Sequence, residues 1–307
     1  LVSALLLLRV GDRAALHAAR RARIGGAGLV LGVHVLAAAT LTLGFHPALA
    51  TDVSPKDTLE DFRGHAGPGE ELALLGISPS AATFYLGAPQ RVTSSPRDAF
   101  EWLGADVESR RFLAPRTGHL PEVNAEWRAA YHQNLPVIEA SGKDHLLATN
   151  FLAGRANRNP LSDWVLDEEL RPQHPAQIRF QDHVEVLGYD MVDARGEPVT
   201  ELVASRKYKL RLYFLVLDRI GDYRIFVHVD GRSRHNVDHD AIFGTYPTPL
   251  WLPGDRLIDE TELELPASFG GSDVTIRFGF FQGKSRLVVS EGPHKDNRAS
   301  LGKWAVR

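Results

Sequence analysis

The run at residues 24–50 constrains this chain most. It reads IGGAGLVLGVHVLAAATLTLGFHPALA and contains no Asp, Glu, Lys or Arg. At about 1.5 Å of rise per residue, a helix of this length crosses a hydrocarbon core of roughly 30 Å. Arg20, Arg21 and Arg23 stand just before it, with Arg9 and Arg13 farther back. Basic residues beside an apolar span mark the cytoplasmic side. The predicted arrangement is a helix running outward that delivers residues 51–307 to the extracytoplasmic side. Residues 1–10 read as the end of an earlier apolar helix. Residues 1–50 are therefore expected to form transmembrane helices joined by a basic cytoplasmic loop, and the natural protein is expected to continue upstream. Two other readings stay open. One is a signal peptide ending near Pro47-Ala48-Leu49-Ala50; the other is a buried helix of a water-soluble fold.

The remaining length has room for two domains. Net charge is −3 and apolar content is 44%. These are ordinary values for a globular protein, and they give no support to binding nucleic acid. There is no cysteine, which excludes disulfides, thiolate zinc sites and cysteine nucleophiles.

Residues 51–150 alternate short apolar runs with helical patterns. Ser54 before Pro55, and Ser95 before Pro96, read as N-caps followed by Pro in the first turn. Helices are expected at 55–66, 80–86, 95–103 and 121–132, and strands at 71–75, 111–114, 135–140 and 145–149. That alternation predicts a small α/β domain. No G-x-G-x-x-G follows a strand, so there is no dinucleotide fingerprint. Residues 151–175, with Asn157, Asn159, Pro160, Pro172 and Pro175, read as a linker or wrapping segment of extended chain.

Residues 176–307 change character. Runs at 184–192, 208–217, 223–229, 257–265 and 274–281 are separated by turn signals, the pattern of an antiparallel β-sandwich. Tyr208, Leu210, Leu212 and Phe214 fall on one face; Lys209, Arg211 and Tyr213 fall on the other. The predicted fold class is α+β multidomain: transmembrane helices, an α/β domain and a C-terminal sandwich resembling a carbohydrate-binding module.

The densest polar cluster lies at 227–260. His235, Asp238, His239 and Asp240 form a candidate set for a divalent cation. Tyr246 and Trp251 beside Asp255 and Asp259 form a candidate sugar site, with aromatic rings to stack on a pyranose and carboxylates to hold its hydroxyls. The third reading is a structural loop in which Trp251 covers one end of the sandwich. No G-x-S-x-G elbow accompanies the cluster.

The runs YRIFVHV (223–229), FGTYPT (243–248) and WLPGD (251–255), with EVLGYD (185–190) and FGFF (278–281), carry a resemblance. They resemble the C-terminal extracytoplasmic sandwich of bacterial polytopic membrane glycosyltransferases, the group of dolichyl-phosphate-mannose–protein mannosyltransferases and aminoarabinose transferases. The resemblance implies a parent in the bacterial inner membrane. That parent moves a sugar from a polyprenyl-phosphate carrier to an extracytoplasmic acceptor glycan. The catalytic carboxylates of that group lie in an early external loop that has no counterpart in this sequence, so no catalytic residue is assigned and the chain alone is expected to be inactive. The alternative is a free-standing, membrane-anchored carbohydrate-binding or structural sandwich.

Overall fold

A computed structural model of the protein describes residues 26–45, 54–105, 108–140, 144–267, 269 and 273–307. The chain divides into two units, Leu1–Lys56 and Asp57–Arg307. In the first, an α-helix α1, Gly26–Ala39, of 14 residues continues as a six-residue π-helical turn, Thr40–Phe45. Leu31, Val35, Leu36, Leu41 and Leu43 are exposed on it. Its α-helical part spans only about 21 Å at the usual rise. Among the described residues no helix is long and apolar enough to cross a membrane. Of the expected span at 24–50, the described residues 26–45 are helical, with the α-helix giving way at Thr40 to a π turn; the rest of the span lies outside the described residues. The expected earlier helix and basic loop lie outside the described residues.

The second unit holds the α/β layer and the sandwich together. In chain order its helices are α2, Lys56–His65; α3, Pro79–Leu86; α4, Pro96–Gly104; and α5, Leu120–Tyr131. Its first strands are β1, Glu71–Leu75; β2, Arg91–Val92; β3, Arg111–Pro115; β4, Val137–Glu139; and β5, Leu147–Thr149. They form one sheet in the order β2-β1-β3-β5-β4, parallel among β2, β1 and β3 and antiparallel beyond. The caps predicted for α2 and α4 are present. Ser54 Oγ accepts from the Lys56 N–H at 3.2 Å, and Ser95 Oγ from the Asp98 N–H at 3.1 Å.

Successive residues of a strand point to opposite faces of the sheet, and β1 and β3 use both faces. Leu72, Leu74, Phe112 and Ala114 pack with Leu59 of α2 and Ala82 of α3. Ala73, Leu75 and Leu113 pack with Trp102 and Leu103 of α4 and Val123 and Trp127 of α5, and this second core is continuous with that of the sandwich.

The sandwich strands are β6, Val165–Leu166; β7, His174–Phe180; β8, Val184–Asp193; β9, Glu201–Leu202; β10, Lys207–Val216; β11, Arg224–Asp230; β12, Arg234–His239; β13, Arg256–Glu264; β14, Asp273–Gln282; β15, Ser285–Arg286; β16, Val289–Glu291; β17, His294–Lys295; and β18, Arg298–Val306. One sheet runs β16-β7-β8-β10-β13-β6. The other runs β12-β11-β14-β18-β17, with β15 against β14 and β9 against β18. Leu210, Leu212 and Phe214 of the first sheet face Val227, Ile276, Phe278 and Phe280 of the second. The alternation predicted for β10 holds except at Tyr213, which is buried because its hydroxyl donates to Asp190 Oδ2 at 2.6 Å. The stretch expected to be a linker is partly sandwich: Val165 and Leu166 pair with Leu257 and Arg256 on β13.

Gly188 marks the bulge in β8, where the register to β10 shifts. Its φ is +154°, and a Cβ there would stand 2.4 Å from the His174 carbonyl oxygen and 2.5 Å from the Pro172 ring. Only glycine allows this approach. Gly188→Ala is expected to lower the free energy of unfolding by about 2 kcal/mol, read by chemical denaturation; an unchanged midpoint would show that the strands can part there at no cost.

Candidate functional site

The residues singled out in the 227–260 cluster separate in the fold. On β12 side chains alternate, so His235 and His239 share one face and Asp238 projects from the other. Asp238 Oδ1 lies 3.8 Å from His228 Nε2, and Asp240 Oδ1 accepts from Arg224 Nε at 2.6 Å. The proposed cation ligands therefore do not converge. Among the described residues no group of three or more His, Asp or Glu is arranged to hold a metal ion.

His239 and Asp259 belong instead to a clamp between the sheets. His239 on β12 meets Asp259 on β13 at 2.8 Å from Nε2 to Oδ2, and Asp259 Oδ1 accepts the Ile242 N–H at 2.8 Å. Asp259 is fully buried. The clamp holds a strained turn: Ile242 and Phe243 have φ of +50° and +56°, a conformation that costs such residues about 1–3 kcal/mol each. The turn buries Ile242 and leaves Phe243 exposed, with its ring edge-on to Trp164 at 5.1 Å.

Tyr246 and Trp251 are also placed otherwise than expected. Both are fully buried. Trp251 Nε1 donates to the Tyr246 carbonyl at 3.0 Å, and its ring packs on Phe214 and Phe280. Neither ring offers a face to a sugar; the apolar surface of both closes the sandwich end, so a stacking site built on them is corrected to a structural plug. Burial pushes the Tyr246 hydroxyl pKa upward, and the neighbouring Asp255 adds to it, so this hydroxyl stays protonated.

Asp255 is where the motif meets the α/β layer. Arg128 of α5 donates from Nε to Asp255 Oδ1 at 2.9 Å and from Nη1 to Asp167 Oδ1 at 2.7 Å. Asp255 Oδ2 accepts the Leu252 N–H at 3.0 Å and the Tyr246 hydroxyl at 3.4 Å. Asn134 Oδ1 accepts from both Arg128 and Asn124, and Asn159 donates to Asn124 Oδ1 at 2.9 Å. Burial opposes charge on Arg128, but Asp255 and Asp167 outweigh it, so its pKa is raised and the guanidinium stays charged.

Above this pair opens a cleft of about 330 Å³ between α5 and the 252–256 turn. His132, Asp167, Arg219 and Arg256 line its mouth. A second groove of about 340 Å³ adjoins it and shares Arg219, Ala129 and Leu252. Among the described residues Arg219 and Arg256 have no ion-pair partner. The cleft is thus partly cationic, with three arginines against the two carboxylates Asp167 and Asp255, and an apolar wall. Such a surface suits a polar ligand held by hydrogen bonds.

Sequence reasoning missed Arg128, Asn134 and Asn159. A signal was present: Asn124 and Arg128, four residues apart, fall on the same helix face as Leu120 and Trp127, and polar residues inside an apolar stripe demand partners.

No protein-family model and no curated protein matches this chain. Among solved structures, the C-terminal domain of wzt is similar over 45% of this chain and 82% of that one, at 12% identity and a TM-score of 0.29. A Niemann-Pick type C2 protein from the Japanese carpenter ant is similar over 45% of this chain and 98% of that one, at 7% identity and a TM-score of 0.26.

Two outcomes follow from these contacts. Arg128→Ala strands Asp255 in the interior and is expected to cost about 3–5 kcal/mol of stability, measured by denaturant unfolding; a loss near zero would mean that water reaches the carboxylate. For His239, burial alone would lower the pKa, but the Asp259 bond and charge prevail and raise it. Its contribution is therefore complete below the ordinary histidine value of about 6.5 and is lost as pH rises through the higher folded value. The stability of the protein relative to His239→Gln should fall as pH rises above about 6.5; a difference independent of pH would show that the imidazole is not charged in the clamp.

Proposed function

We propose that this chain is the C-terminal accessory region of a bacterial membrane glycosyltransferase and that its junction cleft receives the acceptor glycan. The observation that carries this reading is the use made of the 246–255 motif. Its aromatic residues plug the sandwich, and its Asp255 fixes the wall of a cleft that α5 completes. The cleft presents Arg219, Arg256, His132 and Asp167, donors and acceptors suited to sugar hydroxyls. The apolar helix α1, with leucines exposed along it, supports attachment to a bilayer, where such side chains find an apolar environment. In this reading residues 51–307 lie on the extracytoplasmic face. Sugar transfer from the polyprenyl-phosphate carrier rests on carboxylates of an external loop that this sequence does not contain. A free-standing anchored glycan-binding protein would use the same cleft; the compact unit Asp57–Arg307 favours that second reading.

The test is binding of a panel of bacterial cell-surface glycans to the full chain in detergent micelles. Arg219 lines both adjoining grooves, so Arg219→Glu is expected to weaken binding about tenfold or more with the melting temperature unchanged. Binding of no glycan, or binding indifferent to Arg219, would contradict an acceptor site at the junction.

A further inference from the structure

The outer face of the second sandwich sheet carries a feature that the fold does not require. Residues of β11 alternate, so Ile225, Val227 and Val229 enter the core while Phe226 and His228 point outward. Outward-facing residues of a sandwich are ordinarily wet. Phe226 and His228 are nevertheless buried, at 2% and 6% exposure. The β14–β15 hairpin folds back beside them, and the Arg286 guanidinium lies 5.1 Å above the Phe226 ring. Gly279 leaves the space for this ring; a Cβ there would come within 2.7 Å of it. The His228 ring packs against Phe226 at 4.6 Å, tilted by 31°.

Between these residues, Asp238 and the 283–286 turn is a cleft of about 260 Å³. That volume is just below the roughly 300–1,000 Å³ range of small-molecule sites, room for one sugar-sized ring. The polar groups around it are incompletely used. Among the described residues His228 Nδ1 is buried without a hydrogen-bond partner, and so is Nε of Arg277, the residue directly across the ladder from His228. Lys284 and Arg286 at the rim have no ion-pair partner among the described residues. Beside the cleft a single carboxylate, Asp230, is shared by Arg234 at 2.7 Å, Arg298 at 2.9 Å and Arg277. Arg298 also reaches Asp296 at 3.6 Å, so three guanidiniums face two carboxylates and leave a net positive charge; an aspartate so held keeps a lowered pKa although burial alone would raise it. Asp230 therefore does not lose its charge near neutral pH.

We propose that this outer-sheet cleft binds a single sugar residue bearing an anionic substituent. The half-buried Phe281 ring offers an apolar face to the C–H side of a pyranose, with the buried Phe226–His228 pair forming the floor beside it. Asp238, His228 and Ser285 supply the acceptors and donors that hydroxyls need. Lys284 and Arg286, with Arg277 behind them, meet the anionic group, a carboxylate or a phosphate. An isolated inorganic anion would satisfy only the cations. A neutral sugar would leave the positive field uncompensated. The site is distinct in residues from the junction cleft and stands whether or not that cleft binds glycan.

The experiment is calorimetric titration of the full chain in detergent with glucuronate, glucose 6-phosphate, glucose and inorganic phosphate. At least one anionic sugar is expected to bind about tenfold or more tightly than either glucose or inorganic phosphate, and the stronger of the two identifies the anion. Arg286→Glu, at an exposed position, should remove that preference without changing the melting temperature, while Arg219→Glu should leave it intact. Lys284→Glu repeats the test should Arg286→Glu fold poorly. Equal binding of glucose, equal binding of inorganic phosphate, absence of binding, or a preference lost with Arg219→Glu rather than Arg286→Glu would each overturn the proposal.

Discussion

The architecture of the second unit depends on one ion pair, Arg128 with Asp255. It joins a helix of the α/β layer to a turn of the sandwich across 127 positions of sequence. Both side chains are nearly removed from water, at about 5% and 4% exposure. Buried charges of this kind are tolerated only when every remaining donor and acceptor is met. Here they are met by Asp167, Asn134, Tyr246 and the Leu252 amide. The pair therefore specifies how the two layers dock more than it adds to net stability. The shared apolar core, running from Leu113 and Trp127 into Phe214 and Phe280, supplies the driving force.

The second buried carboxylate, Asp259, works differently. It ties the two sandwich sheets through His239 and holds the left-handed turn at Ile242 and Phe243. Without an acceptor for the Ile242 N–H, that turn would carry both its strain and an unpaired buried donor. The two aspartates of the motif region thus serve as internal fasteners. The junction cleft is edged by Arg219 and Arg256 and the outer-sheet cleft by Arg286, none of which has an ion-pair partner among the described residues.

Period and punctuation in the sequence carry most of the fold. Alternation in β10 and β14 and the Ser-Pro starts of α2 and α4 are local properties, legible without tertiary information. Burial of a polar or aromatic residue is not local. Tyr246, Trp251, Asp255 and Asp259 stand among turn residues, where aromatic and acidic side chains suit a sugar site; only the closing of the sandwich end shows that the rings are core and the carboxylates are paired. Asp238 and His239 adjoin in sequence, yet the pleat sends them to opposite faces of an edge strand. The apolar run at 24–50 raises the same problem: its composition is legible, but the change from α to π winding at Thr40 is not. The buried, outward-facing pair Phe226 and His228 could not be seen either, because what covers it is a hairpin some sixty residues downstream.

If the Arg128–Asp255 pair makes the α/β layer and the sandwich a single cooperative body, the two must open together. Native-state hydrogen exchange, read peptide by peptide, measures this directly. Amides of α5 and of β10 are expected to exchange with the same opening free energy and the same denaturant dependence. A distinctly lower opening free energy for α5, with β10 still protected, would show two independently unfolding layers and contradict that role for the pair.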